Sequence, residues 1–256
     1  MISMKLRTSL KLPKPKEHGA WGMVYIPFFM GLGIAGILDT KVLLLLLAVT
    51  LVFLSLRPLT EVLHHKNSYT GSSRAVLSYS WLGFYWTTSA VLFGVLYFHY
   101  RLLQLPYFAL ILAPVATAFI CFVRYNAVRT VAGELAGILG LTLTAPLAHY
   151  VASGQIQPLG FLLWGLNFLY FGSSIFYVKA KVEQFRRSKL KSPGEGPSLK
   201  LTCVVYHLVI LAIVTGLVMR GVIPPIALLA FFPILLRGLW ETQRTQVRLS
   251  LKKIGL

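Results

Sequence analysis

The sequence predicts an all-α fold: a polytopic transmembrane helical bundle of about eight spans with both termini cytoplasmic. Three observations predict it. Of 256 residues, 56% are apolar and only 12% are charged, whereas ordinary soluble domains carry roughly 25% charged residues; the mean hydropathy is +0.72. The apolar residues gather in runs close to the ~20 residues that cross ~30 Å of hydrocarbon. Lys and Arg concentrate between alternate runs, the asymmetry that orients membrane helices. Disorder is excluded because the chain is charge-poor and 13% aromatic. A membrane barrel is excluded because no run shows ten-residue polar and apolar alternation.

The runs are taken in order. The first, 19–38, is Gly-rich and followed by Asp39-Thr40-Lys41 rather than a small-residue cleavage site, so it reads as a span and not as a signal peptide. The second, 42–56, is short and gains length from its flanks. Runs 75–98, 103–123 and 132–151 are each of crossing length, as are 158–178 and 201–219. The last, 222–236, is again short. Gly31, Gly33 and Gly36 in the first run, and Gly133, Gly137 and Gly140 in the fifth, supply the small surfaces on which helices pack closely in lipid. Cys121 and Cys203 both lie inside runs and form neither a metal-ligand spacing nor a disulfide framework.

No soluble segment is long enough to fold alone, so residues 1–256 read as one integral membrane domain. Its basic cytoplasmic parts are the amino terminus, 1–18, the segments 57–74 and 124–129, the loop 179–200 and the tail 237–256. The other side keeps only Lys41, Arg101 and Arg220. With 25 Lys and Arg against 7 Asp and Glu, the formal charge of +18 becomes one strongly positive cytoplasmic face. Such a face pairs with anionic lipid headgroups. Nucleic acid is a poor partner for it, because the cations are scattered over short loops with no module to present them. The two long basic loops follow the second and sixth runs, dividing the chain into halves of four spans each. The segment Ser192-Pro193-Gly194-Glu195-Gly196-Pro197 between two of these runs reads as a turn-rich linker.

The acids are the sharper signal, since orientation does not need them. Glu134 enters the fifth run, where a carboxylate at membrane depth marks a functional candidate or a favourable partner for the helix dipole; Arg124 and Arg129 are its nearest cations in sequence. Lys16, Glu17 and His18 bring base, acid and imidazole together before the first run, able to bind an anionic headgroup or to anchor the interface. Glu61 and His65 stand four residues apart and share a helix face. The pattern Glu61, His64, His65 falls short of a metal site because the two imidazoles diverge by about 100° on a helix, so no metal and no cofactor is expected. Asn167 lies deep in the sixth run, suited to an interhelical hydrogen bond, with Tyr177 and Lys179 at that run's end. Lys16, Arg57, Arg124, Arg129 and Lys179, with Asn126 beside them, are expected to ring one cytoplasmic opening; such rings attract phosphate or carboxylate.

These residues are also where the chain resembles the YwiC-like family of bacterial membrane proteins. The resemblance rests on Lys16-Glu17-His18-Gly19-Ala20-Trp21, the Arg124 region, Gly133-Glu134-Leu135 with Gly137, and the stretch from Asn167 to Lys179. It implies a functionally uncharacterised bacterial membrane protein and brings no catalytic residues; it also implies relatives with a further span beyond the equivalent of Ile254-Gly255. The placement of the two long loops is, more loosely, similar to that of the UbiA-type prenyltransferases, which join isoprenoid chains to aromatic acceptors. Those enzymes hold Mg²⁺ and diphosphate with Asp-rich loops. Here the corresponding segments, Lys66 to Arg74 and Lys179 to Arg187, contain no Asp.

The leading expectation is therefore a multi-pass protein of the bacterial cytoplasmic membrane that binds an anionic, lipid-like molecule at a basic cytoplasmic-facing cavity. Its partners would be anionic membrane lipids or a small anionic ligand. The alternatives are an organic-anion transporter, a degenerate prenyltransferase-like enzyme and a non-catalytic membrane scaffold.

Overall fold

The computed structural model describes residues 18–65, 73–190 and 199–243, and every regular element among them is helical. In chain order these are α1 (His18–Ala35), α2 (Thr40–His65), α3 (Ser73–Phe98), α4 (Leu105–Arg124), α5 (Val131–Thr142), α6 (Thr144–Ser153), α7 (Pro158–Leu190), α8 (Leu199–Met219) and α9 (Ile226–Gln243). Among the described residues six stretches are long and apolar enough to cross a membrane: Thr40–Leu63, Val76–Phe98, Leu105–Arg124, Val131–Ser153, Pro158–Phe185 and Leu199–Met219. The apolar parts of α1 and α9, Gly19–Ala35 and Ile226–Gly238, are shorter. The fold is a helical membrane bundle. Its polarity is inverted relative to a soluble protein: Leu110, Phe98 and Leu229 are about as exposed as a surface lysine would be, at 72%, 73% and 69%, while Ser55, Ser78, Ser89, Thr144, Asn167, Lys181 and His207 are buried. Lipid accepts the first set, and helix–helix hydrogen bonds require the second.

Helices α2 and α7 run furthest past the expected spans. Helix α2 continues through Arg57 and Glu61 to His65 rather than ending near Leu56, because these polar residues find partners on their own helix and on α3. Helix α7 runs 33 residues to Leu190, through the first half of the expected basic loop. That half is rich in Lys, Arg, Glu and Gln and holds no Gly or Pro, so helix propensity carries it on. The linker 192–197 lies outside the described residues.

The described residues divide into two compact units. The first comprises the chain to Val128 and Gly140–Trp164. Its core is a stripe of α2, Val42, Leu45, Val49 and Phe53, closed by Val24 and Phe28 of α1, Phe108 of α4, and Ala148, Val151 and Ala152 of α6. Helix α6 is the most enclosed element, with Thr144 to Pro146 and Ala148 to Ala152 all buried. Its separation from α5 at Leu143 follows from Pro146. That ring has no N–H to give and meets the carbonyl four residues back, at Thr142, so a continuous helix is interrupted there. Thr144 Oγ1 instead donates to Leu141 O at 3.0 Å and across to Val24 O of α1 at 2.8 Å. Helices α1 and α6 approach so closely at this level that a Cβ on Gly31 would overlap the Ala145 carbonyl. Helix α6 ends at Gly154, whose φ of 76° lets its N–H return to Tyr150 O at 2.7 Å.

The second unit comprises Arg129–Leu139 and the chain from Gly165. Helix α8 buries Cys203, His207, Ile210 and Val214, a single helical stripe. Tyr206 stacks on Phe176 of α7 with centroids 4.2 Å apart and donates to Leu169 O at 3.3 Å. Gly172 makes room for that phenol, since a Cβ there would meet its oxygen. Phe231 of α9 meets Tyr170 of α7 edge-on at 5.7 Å.

Candidate functional site

In the second unit, Thr130 starts α5 by accepting the Gly133 N–H on its hydroxyl at 3.1 Å, an N-cap that fixes where the first turn begins. Glu134 therefore sits in that first turn, as the sequence suggested. Its ion-pair partner is Lys179 of α7, whose Nζ lies 3.3 Å from Oε1 and also donates to the Arg129 carbonyl at 2.6 Å. One ammonium thus ties the entry of α5 to the end of the α7 span. The charge of Arg129 also acts on the carboxylate.

Two residues above and below, α7 presents a different face. Tyr177 and Lys181 are one helical turn apart and both buried, at 7% and 5% exposure. The Lys181 ammonium lies 6.0 Å from the centre of the Tyr177 ring, and the Arg237 guanidinium of α9 lies 4.0 Å from it. The ring's negative π-face attracts both cations, so a single tyrosine gathers charge from two helices. Glu183, the next acid along α7, is engaged as a cap: its Oε2 accepts the Leu199 N–H of α8 at 2.8 Å. Behind Tyr177 and Ala180 sits Cys203, whose thiol is 3.6 Å from His207 Nδ1. That nitrogen is 2.7 Å from the Cys203 carbonyl. A carbonyl can only accept, so Nδ1 carries the hydrogen and Nε2 faces Gly238 of α9, where a Cβ would overlap it.

In the first unit the polar groups line the α2–α3 seam. Glu61 accepts from Arg57 Nε at 3.3 Å on its own helix and from the buried Ser78 hydroxyl of α3 at 2.8 Å. Deeper along the seam, Trp86 Nε1 donates to Ser55 Oγ at 3.1 Å and Ser89 Oγ to Ala48 O at 3.3 Å. Trp21 of the opening motif packs on Phe53 edge-on at 4.9 Å and stacks with Tyr25 at 5.8 Å.

The structure thus brings Glu134 together with Lys179 and Arg129, and Arg57 with Glu61. Arg124 is exposed at the end of α4, and Asn126 follows it with a φ of 55°, a left-handed turn that Asn tolerates. Asn167 is buried in α7. Lys16 and Glu17 lie outside the described residues, as do the side chains of His18 and His65. Arg57, Arg124 and Asn126 belong to the first unit, whereas Arg129, Glu134, Tyr177 and Lys179 belong to the second. Sequence reasoning missed Arg237 as a site residue, having read it as the start of a basic tail. It also missed Ser78, a polar residue at a span's entry that could have been paired with the seam's acid.

Inverted polarity and, among the described residues, six stretches of crossing length define a multi-pass helical membrane protein. Within that class the chain belongs to the YwiC-like protein family, whose model matches residues 15–149. The match takes in Arg57, Glu61, Arg124 and Glu134. The chain is also similar to the uncharacterized protein YwiC of Bacillus subtilis (strain 168), with 25% identity over 170 residues, covering 66% of this chain and 67% of that one. No solved structure matches it.

Proposed function

We propose that this is a multi-pass protein of the bacterial cytoplasmic membrane that binds an anionic amphiphile, through phosphate or carboxylate, at the basic end of α7 and α9. The observation that carries the reading is the Tyr177 ring with Arg237 at 4.0 Å and Lys181 at 6.0 Å. Two like charges at one ring repel each other, and Arg237 is exposed to an incoming group. An anion lodged beside both removes that repulsion and gains charge-assisted hydrogen bonds, with the guanidinium able to engage it bidentately. Lys179 is committed to Glu134 and the Arg129 carbonyl, so it positions the end of the α7 span. An amphiphile suits the place because the spans expose large apolar side chains and its headgroup would lie at the end of a crossing helix.

The test is displacement of a fluorescent phosphatidylglycerol from the detergent-solubilised protein by unlabelled phosphatidylglycerol or phosphatidylcholine. Selective displacement by the anionic lipid is expected, with Arg237→Ala and Lys181→Met each weakening it about tenfold, as for loss of one charge-assisted contact. Equal competition by both lipids, or unchanged affinity in both variants, would contradict the reading.

A further inference from the structure

The seam between α2 and α3 holds two buried donors that anion binding in the second unit does not use. Ser78, Trp81, Tyr85 and Ser89 fall at i, i+3, i+7 and i+11 and share one stripe of α3. The ends of the stripe are tied to α2, Ser78 to Glu61 at 2.8 Å and Ser89 to the Ala48 carbonyl at 3.3 Å. Between them, Trp81 Nε1 and Tyr85 Oη are buried and have no hydrogen-bond partner among the described residues. Tyr85 is only 1% exposed. The two rings stack, with centroids 5.5 Å apart and planes at 27°, and Phe84 stands edge-on to Trp81 at 6.1 Å. On α2, Pro58 has no N–H to give the Leu54 carbonyl, so this level of the seam is locally less bonded on both helices.

Buried donors are almost always paired, because an unpaired one forfeits its hydration with nothing in return. Two of them on one stripe, beside stacked aromatic faces, suit an occupant with acceptor oxygens and an apolar or planar body. Phe84 and Trp86, which flank the stripe, are 56% and 52% exposed, so in a bilayer they face lipid and meet a membrane-dissolved molecule first. The shared chemistry is the carbonyl group, which accepts from phenol and indole without the desolvation cost of an anion. We propose that the α2–α3 seam binds a carbonyl-bearing apolar molecule taken from the bilayer, held by hydrogen bonds from Tyr85 Oη and Trp81 Nε1.

Two probes separate the sources of that carbonyl: decylubiquinone, a ring carbonyl, and dioctanoylglycerol, an ester. Each is titrated into the full-length protein in detergent, and the ligated fraction is read by native mass spectrometry. The variants are Tyr85→Phe, Trp81→Phe and, as a control, Ser80→Ala, whose exposed hydroxyl bonds only its own helix at Val76 O. The wild type is expected to take up one copy of at least one probe. Tyr85→Phe and Trp81→Phe should each weaken uptake about tenfold, the worth of one hydrogen bond, and Ser80→Ala should not. The probe that binds identifies the source. Without probe, Tyr85→Phe should melt at or above the wild-type temperature, since it removes an unpaired hydroxyl. Uptake of neither probe, or equal uptake by all variants, overturns the proposal. So does a Tyr85→Phe protein that melts well below wild type, because the hydroxyl would then already be paired inside the protein.

Discussion

Gly238 carries more of the second unit than its size suggests. The His207 imidazole is oriented by its bond to the Cys203 carbonyl at 2.7 Å, and its other edge rests where a Cβ of residue 238 would be. Gly238→Ala should therefore overpack α8 against α9 and cost about 1–3 kcal/mol. In a His207→Ala background the same change should cost much less, because its obstacle is gone; thermal melts of the four proteins in a double-mutant cycle measure the coupling. Glu134 makes the opposite case. Its pair with Lys179 is partly exposed, at 36% and 20% of the side chains, so Glu134→Gln should cost at most about 1 kcal/mol. Chemical denaturation in mixed micelles would check that ceiling. Neither partnership was legible in the sequence in full. Cys203 and His207 are four residues apart and so were readable as neighbours, but Lys179 lies 45 residues from Glu134, and only the fold chooses it over Arg124.

At the scale of elements, the hydrophobic runs were readable because a bilayer sets helix length by thickness, and the nine helices among the described residues fall on them. What the runs conceal is internal. Pro146 sits visibly in the fifth run, yet whether a proline kinks, breaks or is absorbed depends on what takes up the freed groups. Here the break is bridged by Thr144, which donates to Leu141 of the preceding helix and to Val24 of α1. Thr144→Val should keep the shape of α6 but lose the α1 tether, lowering stability by about 0.6–1 kcal/mol in a detergent melt. Thr144→Ser should retain it. The extension of α7 beyond Val178 was hidden for a different reason. Hydropathy registers only the end of the apolar stretch, while helix propensity decides where the helix itself ends.

Across the whole molecule, composition alone determines the class, since 12% charged residues cannot clothe a soluble surface. Charge placement predicts, beyond this, a topology with both termini in the cytoplasm. Single cysteines at residues 14 and 250 should then react with a membrane-impermeant maleimide only after the membrane is opened, and one at residue 101 should react in intact cells. The site was less legible than the fold. Net charge of +18 points to anions in general, but cations beside span ends are equally what sets orientation in membrane proteins, and nothing local in the sequence distinguishes Arg237 from its neighbours. The aromatic ring that selects it, Tyr177, is on another helix 60 residues earlier in numbering. The measurement that tests the central claim most directly is native mass spectrometry of the protein released gently from membranes, compared with Arg237→Ala and Lys181→Met. A co-purifying anionic lipid or phosphate-bearing species on the wild type, lost from both variants, is the result expected. A wild type that flies without any anionic adduct, or variants that keep it undiminished, would contradict the account.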